Sequence, residues 1–276
     1  LLLLGVMFST LLLNSISPLA QTLNSDKVTT EALAQAKEAL IGYAASDENR
    51  PGSLPCPDTN NNGFAPPFIG ADCPGYVTSS NVYIGRLPWR TLGLPDLRDG
   101  SGERLWYAVS REFARNPTCG STCPLNSDTP GQLTVTGVAP TSNAVAIIFA
   151  PGVAQDAQLR DAANANTASH YLDGENADGN NATFAAAAAS SIFNDRLLAI
   201  TGDALFSVVE RRVAKDVLDC FAAYAADPQN KGRYPWAADV ALSASGDFSD
   251  KQGTRFGRVP ATLIQTMIGS NDPSIA

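Results

Sequence analysis

The chain's one histidine, His170, stands in the polar run "DAANANTASHYLDGENADGNNATF". Ser-His-Asp or Cys-His catalysis needs an imidazole held beside a nucleophile by a third group. A histidine in a stretch without hydrophobic period reads instead as a loop residue. No glycine pattern closes a strand and opens a helix, so backbone cradling of phosphate is unsupported. The carboxylates are scattered rather than paired around a nameable cleft. The expectation is a protein that is not an enzyme.

Five cysteines supply the other chemistry. Cys56 and Cys73 flank a loop rich in Asn, Gly and Pro, and Cys119 and Cys123 bracket "CGSTC". No histidine or second CxxC completes a zinc tetrad. Two short-loop disulfides are expected, hence an oxidising compartment. Cys220 is left over in a helical pattern and reads as a buried free thiol. One string resembles a cation loop: "DTNNNG" at 58–63 matches the front half of D-x-[DN]-x-[DN]-G. Asp58, Asn60 and Asn62, with Asp72 as a late carboxylate, form a candidate calcium set. The glutamate expected at the twelfth place is missing, since position 69 is Ile. The same string is also what a run of Asx turns looks like.

The elements that must carry these residues begin with an apolar run. "LLLLGVMFSTLLLNSISPLA" has no charge, and as a helix it would reach about 30 Å, the thickness of a bilayer core. It is apolar on all faces and is expected to be a retained membrane or filament-core helix over 1–25. Leu1, Leu4, Gly5, Phe8, Leu11 and Leu12 form its assembly surface. Beyond Pro18, Leu33, Ala36, Leu40, Tyr43 and Ala44 recur at helical spacing, with Thr29 or Thr30 as the expected cap. Charged residues are only 17% and the net charge is −8. Phosphate contacts need clustered Lys and Arg, so nucleic acid is not an expected partner.

A second amphipathic run carries Leu205, Val209, Val213, Val217, Phe221 and Tyr224, with Thr201 as its cap. Each helix is followed by the same order: "YAA", a short turn, Gly-x-apolar-Pro, an irregular stretch, then Gly-Arg-apolar-Pro. The strings are "GSLPC" (52–56) and "GRLPW" (85–89), then "GRYPW" (232–236) and "GRVP" (257–260). Glycine supplies positive φ, and the residue before proline is pushed to extended geometry. We read one helix-to-strand corner used twice, with Trp89 and Trp236 as covers. Between the units, "ERLWYAVS" alternates, with Leu105, Tyr107 and Val109 on one face and Trp106 and Ala108 on the other. "QLTVTGV" and "AVAIIFA" follow as strands. Residues 151–200 read as a polar loop, with a helical turn at Ala185–Ala189.

The expected class is α+β: a long hydrophobic N-terminal helix packed on an antiparallel sheet, with a second C-terminal helix-plus-strand unit. The divisions are 1–25, a first globular module over 26–150, the polar region 151–200 and a second module over 201–276. The apolar start running into an amphipathic helix, then a disulfide loop and sheet, resembles type IV pilins and pseudopilins. "LPDLRDGSGERLWYAV" is similar to the pseudopilin pattern of Asp, Gly and a run into an aromatic strand. "ALIGYAASDENRPGSLPCPDTNNNG", "GRLPWRTLGLPDL" and "GRYPWAAD" resemble large pilin-like bacterial envelope proteins. Pilins carry an early glutamate in the apolar run, whereas here Gly5 lies in that run and no acidic residue precedes Asp26. The resemblance implies a structural subunit of an extracellular filament, with copies of itself and other pilin-like subunits as partners. It implies the bacterial inner membrane before assembly and the cell surface after it. The alternative is a membrane-anchored minor pilin or accessory binding module, serving adhesion, uptake or secretion, that does not polymerise.

Overall fold

The computed structural model describes residues 18–74, 81–116, 123, 125–155, 157–179 and 181–234. Among the described residues the fold is α+β, with a mixed sheet and two helices. Two compact units divide the chain, Leu1–Val209 and Glu210–Ala276. The apolar run Leu1–Leu13, with its assembly residues Leu1, Leu4, Gly5, Phe8, Leu11 and Leu12, lies outside the described residues. Among the described residues no helix is long and apolar enough to cross a membrane.

Helix α1 spans Pro18–Ser46. It starts well before the expected cap, so Thr29 and Thr30 lie inside it. Their hydroxyls donate back to Ser25 O and Asp26 O, four residues earlier. Its second half packs by period: Leu33, Ala36, Leu40 and Ala44 are buried, as the spacing predicts. Past Ser46 the chain turns on Asp47, whose Oδ1 accepts the N–H groups of Asn49 and Arg50. Gly52 then takes φ +97° and donates its N–H to Ala44 O. This satisfies a carbonyl that the helix end leaves open.

The sheet runs β1 (Val82–Arg86), β2 (Trp106–Ser110), β4 (Thr141–Ala150), β3 (Leu133–Gly137), β5 (Thr183–Ala186), with β6 (Arg196–Thr201) also on β4. Strand β4 therefore holds three partners: β3 near its start, β2 along 146–149 and β6 along 144–150. The expected antiparallel sheet is mixed, because β5 runs parallel to β3 with Phe184 opposite Val135. The alanine run read as a helical turn is in part this strand. Ala185 and Ala186 pair with Thr136 and Gly137, and that ladder outweighs the helix preference of alanine.

Both faces of the sheet are covered. Leu105, Tyr107 and Val109 share a core with the α1 stripe, Val145 and Ile148. Trp106 and Ala108 face the other way, into a core with Phe149, Tyr171, Leu172 and Phe184. The 151–200 segment is thus more than a polar loop: it supplies β5, most of β6 and the cover for one sheet face. Arg86, the arginine of "GRLPW", fastens it. Its guanidinium lies 4.4 Å from the Trp106 ring and 3.8 Å from the Tyr171 ring, and donates to Ala165 O and Arg104 O. Burial lowers its pKa to about 10. Leu87 of the same string is buried in the helix-side core, as the corner argument predicts. Gly85, however, is a strand residue. A Cβ there would come within 2.8 Å of Asp58 O, where the chain bridges back to Arg86. Trp89 lies against Gly63 and under Arg90, 4.8 Å from its ring.

Helix α2 (Gly202–Ala226) opens with Thr201 capping the Ala204 N–H, as its sequence predicts. Leu205, Phe206 and Val209 belong to the first unit's core. Farther along, Val213 is exposed and Leu218 is 65% exposed, and the surface is laced by Arg212–Asp216 and Lys215–Asp219 pairs. In the second unit Tyr224 is buried, with Cys220 and Phe221 against it. A 3-10 turn follows at Pro228–Asn230, capped by Asp227. Trp236, the strings "GRYPW" beyond Tyr234 and "GRVP", and any strand of this unit lie outside the described residues.

Candidate functional site

The described part of the first unit holds a pocket of about 470 Å³ where α1 meets the ends of β4 and β6. The helix supplies Ser25, Asp26 and Thr29. Thr29 Oγ1 accepts the Gly100 N–H, which ties the helix to the Asp99–Ser101 turn. Asp99 is almost fully buried and holds that turn from inside. One carboxylate oxygen accepts the N–H groups of Ser101 and Glu103, and the other accepts the N–H of Gly152 beyond β4. Short Asx-type bonds of this sort replace the ladder that an irregular segment lacks.

Asn194, Asp195 and Arg196 enter from the start of β6. Asp195 is 4% exposed. Its Oδ2 accepts the Asp173 N–H at 2.8 Å and the Asn176 Nδ2–H at 3.0 Å. Its Oδ1 has no hydrogen-bond partner. Burial pushes the carboxyl up to about 8, with the neighbouring Asp173 charge adding to the rise. Asn194 donates through Nδ2 to Val153 O, which fixes its amide orientation, and its buried Oδ1 is likewise without a partner. At the mouth, Arg196 bridges to Asp26 at 3.2 Å and donates to Thr30 Oγ1.

Behind this wall a polar network locks the 151–200 segment. Asp173 accepts the Asn194 N–H and the Gln158 side-chain amide. Asn176 pairs with both backbone groups of Ala185, donating to its oxygen and accepting from its nitrogen, as an adjacent strand would. Arg160 donates to Gly152 O and Tyr171 O and lies 3.3 Å from Glu103.

The residues singled out by sequence fall elsewhere. His170 Nδ1 accepts the Leu159 N–H, a structural bond. The "DTNNNG" oxygens are turned inward: Asp58 accepts the N–H groups of Asn60 and Gly63, Asn60 that of Asn62, and Asn62 that of Phe64. This is a run of Asx turns. Asp72 does not join it. It is paired with Arg111 at 2.9 Å and accepts the Tyr83 hydroxyl, and the Arg111 hydrogen bond lowers its pKa. Arg104 donates to Asn61, placing a guanidinium on the string. Among the described residues no group of three or more His, Cys, Asp or Glu could hold a metal ion.

Cys56 and Cys73 form the expected disulfide, with Cα atoms 5.6 Å apart. Cys123 is disulfide-bonded, while Cys119 lies outside the described residues. Cys220 is free and half-buried. Asp195, Asp173, Arg86 and Arg160 were missed by sequence reasoning. Only "NDRLLAI", a polar pair ahead of an apolar strand, could have pointed to Asp195. No protein-family profile matches the chain, and comparisons with curated proteins and with solved structures return no match.

Proposed function

We propose that the chain is a structural subunit of a pilus-like extracellular filament, assembling through its N-terminal helix. The observation that carries this reading is the unequal burial of α1. From Ala20 through Val28 only Ser25 is even half-buried, and Leu23 is 60% exposed. From Thr29 onward the helix buries a residue at every turn against the sheet. At ~1.5 Å per residue the 29 residues of α1 extend about 43 Å, an arm as well as a brace. The apolar run Leu1–Leu13 leads into the uncovered half in sequence. Such apolar area is not left in water by soluble monomers. It belongs in lipid before assembly and among like helices afterwards, where Gly5, Ser9 and Thr10 permit close approach. In this reading the subunit waits in the bacterial inner membrane and ends on the cell surface.

A charge within the run tests it. Leu11→Asp should abolish filaments seen by electron microscopy, because an unpaired carboxylate in an apolar core is strongly disfavoured. Leu23→Asp, on the uncovered half of α1, should weaken assembly and leave the head's unfolding midpoint unchanged. If the wild-type chain yields detergent-bound monomers and no filament under any condition, the membrane-anchored accessory module replaces this reading.

A further inference from the structure

The pocket at the base of α1 presents an unmet demand of one chemical kind. Asn194 and Asp195 are adjacent residues that both line the pocket, and the buried Oδ1 of each has no partner. Asp195 Oδ2 is held by Asp173 and Asn176, which do not line the pocket, so the free oxygen is the one left for it. The Asn194 amide cannot turn to offer a donor, because its Nδ2 is committed to Val153 O. Leaving buried acceptors unmet costs stability that a donor-bearing ligand would restore. The lining carries two carboxylates, Asp26 and Asp99, against the guanidinium of Arg196, and Asp195 adds a third when it ionises. Arg196 is already turned to Asp26. Ala150, Val153, Ala187 and Ala189 give an apolar wall for a short alkyl chain.

The geometry points to a binding site for a primary alkylammonium group, seated against Asp195 Oδ1 and Asn194 Oδ1, its chain along the alanine wall. An ammonium offers three donors and a full charge, and both oxygens accept. At these two oxygens an anion would find no donor, and a quaternary ammonium would bring charge without donors. The source is either a free amine or a lysine side chain of another copy of this chain. The site does not depend on the filament reading, and a chain that never polymerises would still carry it.

Binding must deprotonate Asp195, whose carboxyl sits at about 8 in the empty pocket. The groups around it are fixed by name: Asp173 raises it, Arg160 lowers it, and Asp99, Asp26 and Arg196 line the pocket with it. Affinity should therefore fall about tenfold for each pH unit below that value, while the amine itself stays charged.

The test titrates the full chain and each variant with n-butylammonium by calorimetry, and follows the Asp195 carboxyl carbon by NMR in the chains that keep it. Saturable binding, weaker at lower pH, absent with tetramethylammonium and lost in Asp195→Asn, is the expected result. Ala187→Phe fills the pocket from an exposed wall position and should also abolish binding, with no hydrogen bond removed. A shift of the Asp195 signal on raising the protein concentration without amine, lost on methylating the lysines, assigns the source to another copy. The proposal is overturned if neither amine nor concentration moves the signal, if tetramethylammonium binds equally, or if both variants bind as the wild type does. The pocket would then hold water alone.

Discussion

Residues 43–56 and 224–234 run through the same steps in different surroundings. Each begins at Tyr-Ala-Ala in the last turns of a helix, Tyr43 to Ala45 in α1 and Tyr224 to Ala226 in α2. Each then turns on an aspartate, with Asp47 accepting from Asn49 and Arg50, and Asp227 accepting from Gln229. Each reaches a glycine at positive φ, +97° at Gly52 and +75° at Gly232. Beyond that point they part. The first corner is closed by distant chain: Leu54 donates its N–H to Phe113 O, Arg50 donates to Cys123 O and Glu112 O, and Cys56 is tied to Cys73. The second is held through local bonds such as Asn230 Nδ2 donating to Tyr224 O and Arg233 donating its N–H to Asn230 O. Turn chemistry therefore specifies the corner by itself, and long-range closure decides how much stability hangs on it.

The largest test of that difference compares the apolar residue before each proline. Leu54 is 1% exposed in the core it shares with Leu40 and Phe113, whereas Tyr234 is 67% exposed. Leu54→Ala should cost about 2–5 kcal/mol, a typical loss for a buried leucine. Tyr234→Ala should stay within about 0.5 kcal/mol, as exposed positions do. Urea unfolding of each variant reads both. Similar losses at the two sites would break the comparison and mean that Tyr234 is covered in solution.

The next test removes the covalent tie that the first corner has. The Cys56–Cys73 loop, at a separation of 17, should contribute about 3 kcal/mol by restraining the unfolded chain. The paired Cys56→Ser, Cys73→Ser variant should lower the urea midpoint accordingly. An unmoved midpoint would place the difference between the corners in packing alone.

The corners and the helix-packed strands were legible in the sequence because their signals are local or periodic. Leu105, Tyr107 and Val109 alternate, and the helix-side core contains all three. Gly52 and the Pro after Leu54 announce a helix end. Residues 151–200 were illegible for the complementary reason. Their order comes from side chains that reach backbone far along the chain, such as Asp195 accepting from Asp173 and Arg86 donating to Ala165 O. No spacing within the segment encodes those partners. The alanine run failed in the same way, since its strand state depends on β3, about fifty residues earlier in the chain. The pocket shares this opacity. Its two orphan oxygens are distinguished from ordinary surface carbonyls by burial, which one sequence does not carry.

The smallest test isolates the glycines. Both hold a left-handed backbone that costs other residues roughly 1–2 kcal/mol. Their surroundings differ. A Cβ on Gly52 would lie 3.2 Å from Leu125 Cδ2 and 3.2 Å from Phe206 Cε1, while one on Gly232 meets nothing within 4 Å. Gly232→Ala should therefore cost the backbone strain alone, about 1 kcal/mol. Gly52→Ala should add an overpacking cost of about 1 kcal/mol, because Leu125 and Phe206 are held by the core around them. The excess at Gly52 is the quantity to measure, as a difference in urea midpoint at constant slope. It should shrink in a Phe206→Leu background, where the crowding ring atoms are gone. If the two glycine variants lose the same stability, positive φ is the whole reason for glycine at both corners, and the closer packing of the first adds nothing at this position.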